Sequence, residues 1–188
     1  MTPLDASTSR PLEGGPSFPL GNRLLRVAWT LAWLVLARWT PPPLHAWRRS
    51  VLRLFGARIG AGTRVYASVM VWLPANLDLG AEVTIGPGVR LYNQGRITIG
   101  ARTVISQRAH LCASTHDVNH PHFQLVIRPI RIGSQCWVAA EAFVGPGVTM
   151  GDRAVLGARG VLVEDAQADG IYRGNPAVRV KTRSLRGG

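Results

Sequence analysis

The run IGSQCWVAAEAFVGPGVTMGDRAVLGARGVLV, residues 132–163, sets an aliphatic side chain at every sixth position: Ile132, Val138, Val144, Met150, Leu156 and Leu162. An interval of six matches neither the turn of an α-helix nor the alternation of a β-strand, so it belongs to a larger unit that the chain completes in several short pieces. A solenoid of short strands is such a unit. Small residues between the aliphatic positions, among them Ala142, Ala154 and Gly160, suit a chain that turns every few residues against a closely packed neighbour.

Working backwards, the same interval begins at Ile59. It runs through Val65 and Val71, then Leu79, Ile85 and Leu91, then Ile99, Ile105 and Leu111, each set of three making one triangular coil. Two-residue additions, Leu77-Asp78 and Ile97-Thr98, fall at the same corner and produce the recurring phrases LDLG, ITIG and IRIG, so register survives them. Coil three is expected to end at His116, and residues 117–131 (DVNHPHFQLVIRPIR) abandon the pattern as a loop thrown out from one corner. Long loops on regular scaffolds tend to carry function. The organisation is thus a β-helix of about five coils over 59–168, with 169–188 forming a Gly-Asn-Pro turn and a basic tail.

Upstream, residues 1–19 are rich in Pro, Gly and Ser and read as a mobile or extended arm. Residues 20–58 contain two helical segments separated by Pro41, Pro42 and Pro43, namely LLRVAWTLAWLVLARW from Leu24 and LHAWRRSVLRLF from Leu44. The first has 16 residues and is interrupted by arginine. That is short of the roughly 20 apolar residues a bilayer span needs. Two roles are compatible with these helices: covering the open end of the solenoid, and resting a basic, Trp-containing face on an anionic membrane.

The net charge is +12, with 22 Lys and Arg against 10 Asp and Glu, and no acidic residue occurs between Glu13 and Asp78. Such a surface expects an anionic partner: a phosphate-bearing cofactor, anionic lipid or nucleic acid. Nucleic acid has only the charge in its favour, since no recognition motif accompanies it. The two cysteines, Cys112 and Cys136, with no signal-peptide start, imply a reducing compartment and buried thiols, hence a cytoplasmic protein.

Four phrases narrow the reading: PLHAWRRSVLRLFGARIG, VISQRAHLCASTHD, WVAAEAFVGPGVTMG and GNPAVRV. Together with the repeat they resemble the hexapeptide-repeat acyltransferases, and within them the colanic acid biosynthesis acetyltransferases and the maltose and galactoside acetyltransferases. The resemblance implies a left-handed parallel β-helix, a homotrimer with active sites between adjacent subunits, and transfer of acetyl from acetyl-CoA to a sugar hydroxyl, on a free or lipid-linked acceptor. It also places His116, in STHD, where relatives carry their general base. Histidine is the side chain whose unperturbed pKa suits that task. Asp117 and Glu141 are candidates to orient its ring. The backbone amide near Ala140 falls where the family has its oxyanion donor, with the small Ala139 beside it. Trp137 falls where relatives stack an aromatic ring near coenzyme A; Gly157, Ala158 and Arg159 match the family's cofactor groove, and Arg179 and Lys181 are candidates for the cofactor's phosphates. Tyr92 and Asn93, in GPGVRLYNQG, replace the acceptor-side residues of the sugar acetyltransferases, because Gly88 stands at the place of their Asn.

Other readings stay open at this point. The acceptor could be an amino sugar or an antibiotic, or the fold could be a metal-dependent β-helix such as a carbonic anhydrase. His116, His120 and His122 with Asp117 are the only candidate ligand cluster, and no established metal-binding spacing supports them, so no metal is expected.

Overall fold

The six-residue columns become the inner surface of a triangular parallel β-helix. The computed structural model describes residues 2–184. On the first face, strands Arg58–Ile59, Leu77–Leu79, Ile97–Ile99, Ile130–Ile132 and Thr149–Met150 stack in parallel. The second face carries Arg64–Val65, Thr84–Ile85, Val104–Ile105, Trp137–Val138, Val155–Leu156 and Gly170–Arg173, and the third carries Met70–Val71, Arg90–Tyr92, His110–Cys112, Phe143–Val144 and Val161–Leu162. Register aligns identical repeat positions: Ile59, Leu79, Ile99, Ile132 and Met150 form one column, and Val65, Ile85, Ile105, Val138 and Leu156 another. These side chains line a single core. A sixth turn starts at Ala166, which bridges Met150, and ends on the second face, slightly more than the expected five.

The corner glycines of LDLG, ITIG and IRIG have a steric reason. A Cβ placed on Gly80 would lie 2.6 Å from the Ala101 nitrogen, and one on Gly100 would lie 2.5 Å from the Gly133 carbonyl carbon. Neighbouring coils touch backbone to backbone there, so no side chain fits.

The expected loop is more ordered than a loop. The solenoid is left after Ala113, and Ser114–His116 pairs antiparallel with Leu125–Ile127 as a protruding hairpin. Ile130 and Arg131, placed in the loop by sequence, already belong to the first face, where Ile130 is buried and aligned with Ile97. They are the two-residue addition of this coil. The C-terminal segment is likewise part of the sheet: Gly170–Arg173 turns back on Val178–Thr182, which closes the second face antiparallel.

Residues 2–19 also differ from the mobile or extended arm. They form a short helix, α1 (Ala6–Ser9), and a 3₁₀ turn (Pro11–Glu13), with Ala6 and Phe18 buried. The hairpin holds them: the Ala6 N–H donates to Gln124 Oε1 at 2.6 Å, and Gln124 Nε2 donates to the Leu4 carbonyl at 3.1 Å. Polar composition concealed this docking, because main-chain groups make it.

Helices α2 (Leu20–Leu36) and α3 (His45–Leu54) cover the open end of the first coil. Trp29, Trp33, Val51 and Leu52 join the core beside Ile59, Val65 and Val71, and Trp29 Nε1 donates to the Val71 carbonyl at 2.7 Å. The outer stripe of α2, Leu24, Val27, Leu31, Leu34 and Val35, is exposed, as is Trp39 beyond it. No helix among the described residues is long and apolar enough to cross a membrane.

Two buried polar side chains lock this end. Arg48 has no exposed surface; its Nε donates to the Val65 carbonyl at 2.6 Å, and Nη1 donates to Thr40 Oγ1 at 2.8 Å and the Pro41 carbonyl at 2.9 Å. A guanidinium fork thus ties the proline linker to the first coil through carbonyl dipoles. His45 Nδ1 lies 2.9 Å from Arg48 Nη2 and 3.0 Å from the Val65 carbonyl, and can serve only one of them. Burial and the cations of Arg48, Arg64 and Arg49 outweigh the pull of the Val65 carbonyl and lower its pKa, which favours the neutral ring. Asn93, also fully buried, receives the Trp72 and Leu73 N–H groups on Oδ1 at 3.0 and 3.2 Å and donates from Nδ2 to the Leu73 carbonyl at 2.6 Å. It fastens one coil to the next.

Arg48→Met should strip donors from several buried carbonyls and cost about 2–4 kcal/mol, read as a lower thermal unfolding midpoint, with Arg48→Lys recovering only part because an ammonium cannot span the fork. Asn93→Ala should cost about 2–3 kcal/mol for the same reason, and the loss should appear in unfolding and not as a selective rise in an acceptor KM.

Candidate active site

His116 closes the first strand of the hairpin with its side chain exposed. Its Nδ1 lies 2.6 Å from the Phe123 carbonyl oxygen. A carbonyl only accepts, so Nδ1 carries the proton and Nε2 presents its lone pair. That is the tautomer a general base requires. Among the described residues Nε2 has no partner, leaving it available to a substrate proton.

The groups that hold Phe123 in place are those of the hairpin tip. Phe123 adopts φ +47°, its N–H donates to the His120 carbonyl at 2.9 Å, and the Asp117 N–H donates to the Gln124 carbonyl at 2.9 Å. Asp117 spends Oδ1 on the Asn119 N–H at 2.9 Å, so its carboxylate builds the turn and does not orient the imidazole. Glu141 is committed elsewhere as well, to Arg159 at 2.7 Å and Arg108 at 3.5 Å. The hydrogen bond from Arg159, then its charge, holds the Glu141 carboxyl below the usual range. The orienting role therefore passes from both carboxylates to the Phe123 main chain, a contact no side-chain pattern announces. Gln124, which binds the arm, was equally unmarked.

Ala140 sits at a corner whose geometry frees its amide. The Ala142 N–H donates to the Ala139 carbonyl at 3.3 Å and Glu141 has φ +59°, a type II turn with Ala140 at the first central position. The Ala140 N–H has no acceptor among the described residues, while its carbonyl receives the Arg159 N–H at 2.9 Å. The same turn recurs one coil on at Gly157–Ala158–Arg159–Gly160, with Gly160 N–H to Gly157 O at 3.0 Å. Ala139 is buried against the core and leaves the corner uncluttered.

Trp137 is 48% exposed on the second face, its indole N–H donating to Ser106 Oγ at 2.9 Å. Register carries it across Val155 and Ile171 to Lys181, placing that ammonium three strands away in the same row, about 14 Å at the ordinary strand spacing. Arg179 lies on the same terminal strand, with its guanidinium on Gln167 Oε1 at 3.0 Å and Thr182 Oγ1 at 3.1 Å. Gly157 packs close to the Tyr172 carbonyl, 3.3 Å from where a Cβ would sit, and Arg159 is drawn to Glu141. Trp137, Ala139, Ala140 and the Gly157 corner thus share one edge, whereas Arg179 and Lys181 lie at its far end.

On the third face, Tyr92 lines an apolar groove of about 410 Å³ with Met70, Trp72, Arg90, His110 and Cys112. Trp72 was absent from the sequence reading; its place next to a core position is the signal that would have found it. His110 is a neutral wall residue, its pKa lowered first by burial and then by Arg90. Asn93 does not reach this groove, since its amide is consumed inside the solenoid. The other candidate cluster does not assemble a metal centre: among the described residues no group of three His, Cys, Asp or Glu could hold a metal ion. His120 turns instead toward Ser7 Oγ at 3.3 Å.

No family model matches the chain. The Escherichia coli K12 protein provisionally named colanic acid biosynthesis acetyltransferase WcaF is 42% identical over 163 residues, 87% of this chain and 90% of that one. The galactoside O-acetyltransferase of the same organism is 25% identical over 132 residues, 69% of this chain and 65% of its own length. Among solved structures, the hexapeptide-repeat acetyltransferase VCA0836 of Vibrio cholerae, complexed with acetyl coenzyme A, superposes with a TM-score of 0.78 at 21% identity, covering 85% of this chain and 87% of that chain. With the repeat, the interrupting hairpin and a relative at 42% identity along nearly the whole chain, this protein belongs to the hexapeptide-repeat family of acetyl-CoA-dependent acetyltransferases.

Proposed function

We propose that the protein transfers the acetyl group of acetyl-CoA to a sugar hydroxyl in exopolysaccharide or related glycan synthesis, with His116 as general base. The observation that carries this reading is the His116 Nδ1–H donation to the Phe123 carbonyl, which leaves Nε2 as the acceptor. The acceptor hydroxyl gives its proton to Nε2 as its oxygen attacks the thioester carbon. The resulting oxyanion is met by the unpaired Ala140 amide. Collapse breaks the C–S bond, and the imidazolium returns the proton to the departing thiolate, giving an acetyl ester, free coenzyme A and the starting tautomer.

The donor is proposed to lie along the second face, with Trp137 against the cofactor and Lys181 and Arg179 toward its phosphates. A homotrimer with the site between neighbours is part of the reading, and the exposed Val104 and Trp137 on a flat sheet favour such contacts. The names of the relatives, an acetyltransferase of colanic acid biosynthesis and a galactoside O-acetyltransferase, support a sugar acceptor. Two unpaired thiols fit a cytoplasmic setting, and the exposed outer stripe of α2, on a segment without acids, fits contact with an anionic membrane surface.

His116→Ala should lower kcat by about 10²- to 10⁴-fold with acetyl-CoA affinity and unfolding midpoint retained, and His116→Asn should be equally slow because an amide cannot take up a proton. Activity within about threefold of wild type would move catalysis to another group. Trp137→Ala should raise the KM for acetyl-CoA more than it lowers kcat, the pattern of lost uniform binding.

A further inference from the structure

A second groove, about 360 Å³, opens where the N-terminal part of α2 meets the third face. Phe18, Arg23, Arg26, Trp72, Tyr92 and Gln94 line it, and Trp72 and Tyr92 also line the apolar groove that Cys112 helps to wall, so the two grooves adjoin at these rings. Three observations define its chemistry. The cations come first: Arg26 is held with Nε on Asn22 Oδ1 at 3.2 Å and its guanidinium 4.5 Å over the Trp72 ring, and Arg23 stands one turn away. Among the described residues no carboxylate lines the groove; Glu13, nearest in sequence, pairs with Arg10 at 3.3 Å. The aromatic wall is second, Phe18, Trp72 and Tyr92 standing in series with centroids 5.0 and 6.4 Å apart. Third, Gln94 is 7% exposed and its Nε2 donates to Tyr92 OH at 3.0 Å, which fixes the phenol at the groove wall.

We propose that this groove binds a phosphate-bearing sugar acceptor: Arg23 and Arg26 take the phosphate, and the sugar ring lies against Trp72 and Tyr92, whose hydroxyl Gln94 holds in place. The proposal rests on the sugar O-acetyltransfer reading and narrows its substrate class. Two guanidiniums on successive helical turns offer more donors than one carboxylate can accept, whereas a phosphate or diphosphate uses both. The acetylated hydroxyl points toward Cys112, from which the chain reaches His116 in four residues, at most about 14 Å. The phosphate could come from a nucleotide sugar or from a lipid-linked sugar. Val27 and Leu31 beside the two arginines give a lipid chain an apolar way out along α2.

The test uses the full chain with labelled acetyl-CoA and one sugar in four forms: methyl glycoside, sugar 1-phosphate, nucleoside diphosphate sugar, and prenyl diphosphate sugar in detergent micelles. Calorimetric binding of the sugar 1-phosphate and the methyl glycoside runs alongside. Phosphorylated forms should exceed the methyl glycoside in kcat/KM, and Arg23→Gln and Arg26→Gln should each cut that preference about 10- to 100-fold, the range for a lost charge-assisted hydrogen bond. Arg26→Lys should keep much of it, and added salt should shrink it. Gln94→Leu should weaken phosphorylated and neutral forms alike. A nucleotide sugar preferred over the prenyl form identifies the soluble source, and the reverse identifies the lipid.

Equal use of methyl glycoside and phosphorylated forms overturns the proposal while the transfer reading survives. So does a rise in acetyl-CoA KM in Arg23→Gln, which would give the groove to the donor. If no form is acetylated but the sugar 1-phosphate binds in an Arg23-dependent way, the transfer reading fails and the subsite stands; absence of both sinks both.

Discussion

Backbone pairing between successive coils is the constraint on which everything else depends. Within the solenoid's parallel ladders each short strand finds its hydrogen-bond partners on the coils above and below, at about 4.8 Å, so a residue is aligned with its counterpart one coil away and not with its sequence neighbour. Ile59, Leu79, Ile99, Ile132 and Met150 share a column for this reason, and a substitution with the wrong volume would be felt through the column. The same constraint makes surface chemistry linear. Trp137, Val155 and Ile171 lie in one row, which the closing strand extends to Lys181, and Trp72 and Tyr92 succeed one another on a different face, because outward positions repeat as faithfully as inward ones.

A solenoid so constrained has few places to build a concave, catalytic arrangement. It gains one where the ladder is interrupted after Ala113. The hairpin leaves at a corner, pairs with itself through Ser114–His116 and Leu125–Ile127, and rejoins at Ile130 without disturbing the column. Because the hairpin projects, its tip needs support from outside the helix, and the arm supplies it through Gln124 to Leu4 and Ala6. The segment that fixes the hairpin is continuous with the wall of the groove beside α2. His116, the proposed general base, and the proposed acceptor site are therefore positioned by one piece of chain.

The parts of this arrangement visible in sequence are those that repeat or that matter through side-chain chemistry. The six-residue interval revealed the solenoid, but the excursion read from it as residues 117–131 in fact leaves after Ala113 and rejoins at Ile130, because the interval marks only the aliphatic columns and is silent on the two-residue addition Ile130-Arg131. His116 was marked by STHD. What stayed hidden is the work of main-chain atoms: the Phe123 carbonyl that sets the tautomer, the Ala140 turn that frees an amide, and the docking of residues 2–19. Asn93 misled for a related reason. Its residue type suits a sugar contact, but its place at the end of a strand gives it three backbone groups of the adjacent coil to satisfy. Burial decided its role, and burial at a corner cannot be inferred from a period that describes only the aliphatic columns.

Orienting the imidazole by a carbonyl and not a carboxylate has an electrostatic consequence. A carboxylate beside Nδ1 would stabilise the imidazolium and add negative charge near the reacting atoms. The Phe123 carbonyl fixes the tautomer with only a dipole, in a chain whose net charge is +12 and in which Asp117 and Glu141 are engaged with the turn and with arginines. Every anionic species in the proposed reaction, the cofactor phosphates, the oxyanion, the departing thiolate and a phosphate on the acceptor, then meets positive or neutral surroundings. The excess of arginine and the carbonyl-held histidine are on this view two parts of one electrostatic arrangement.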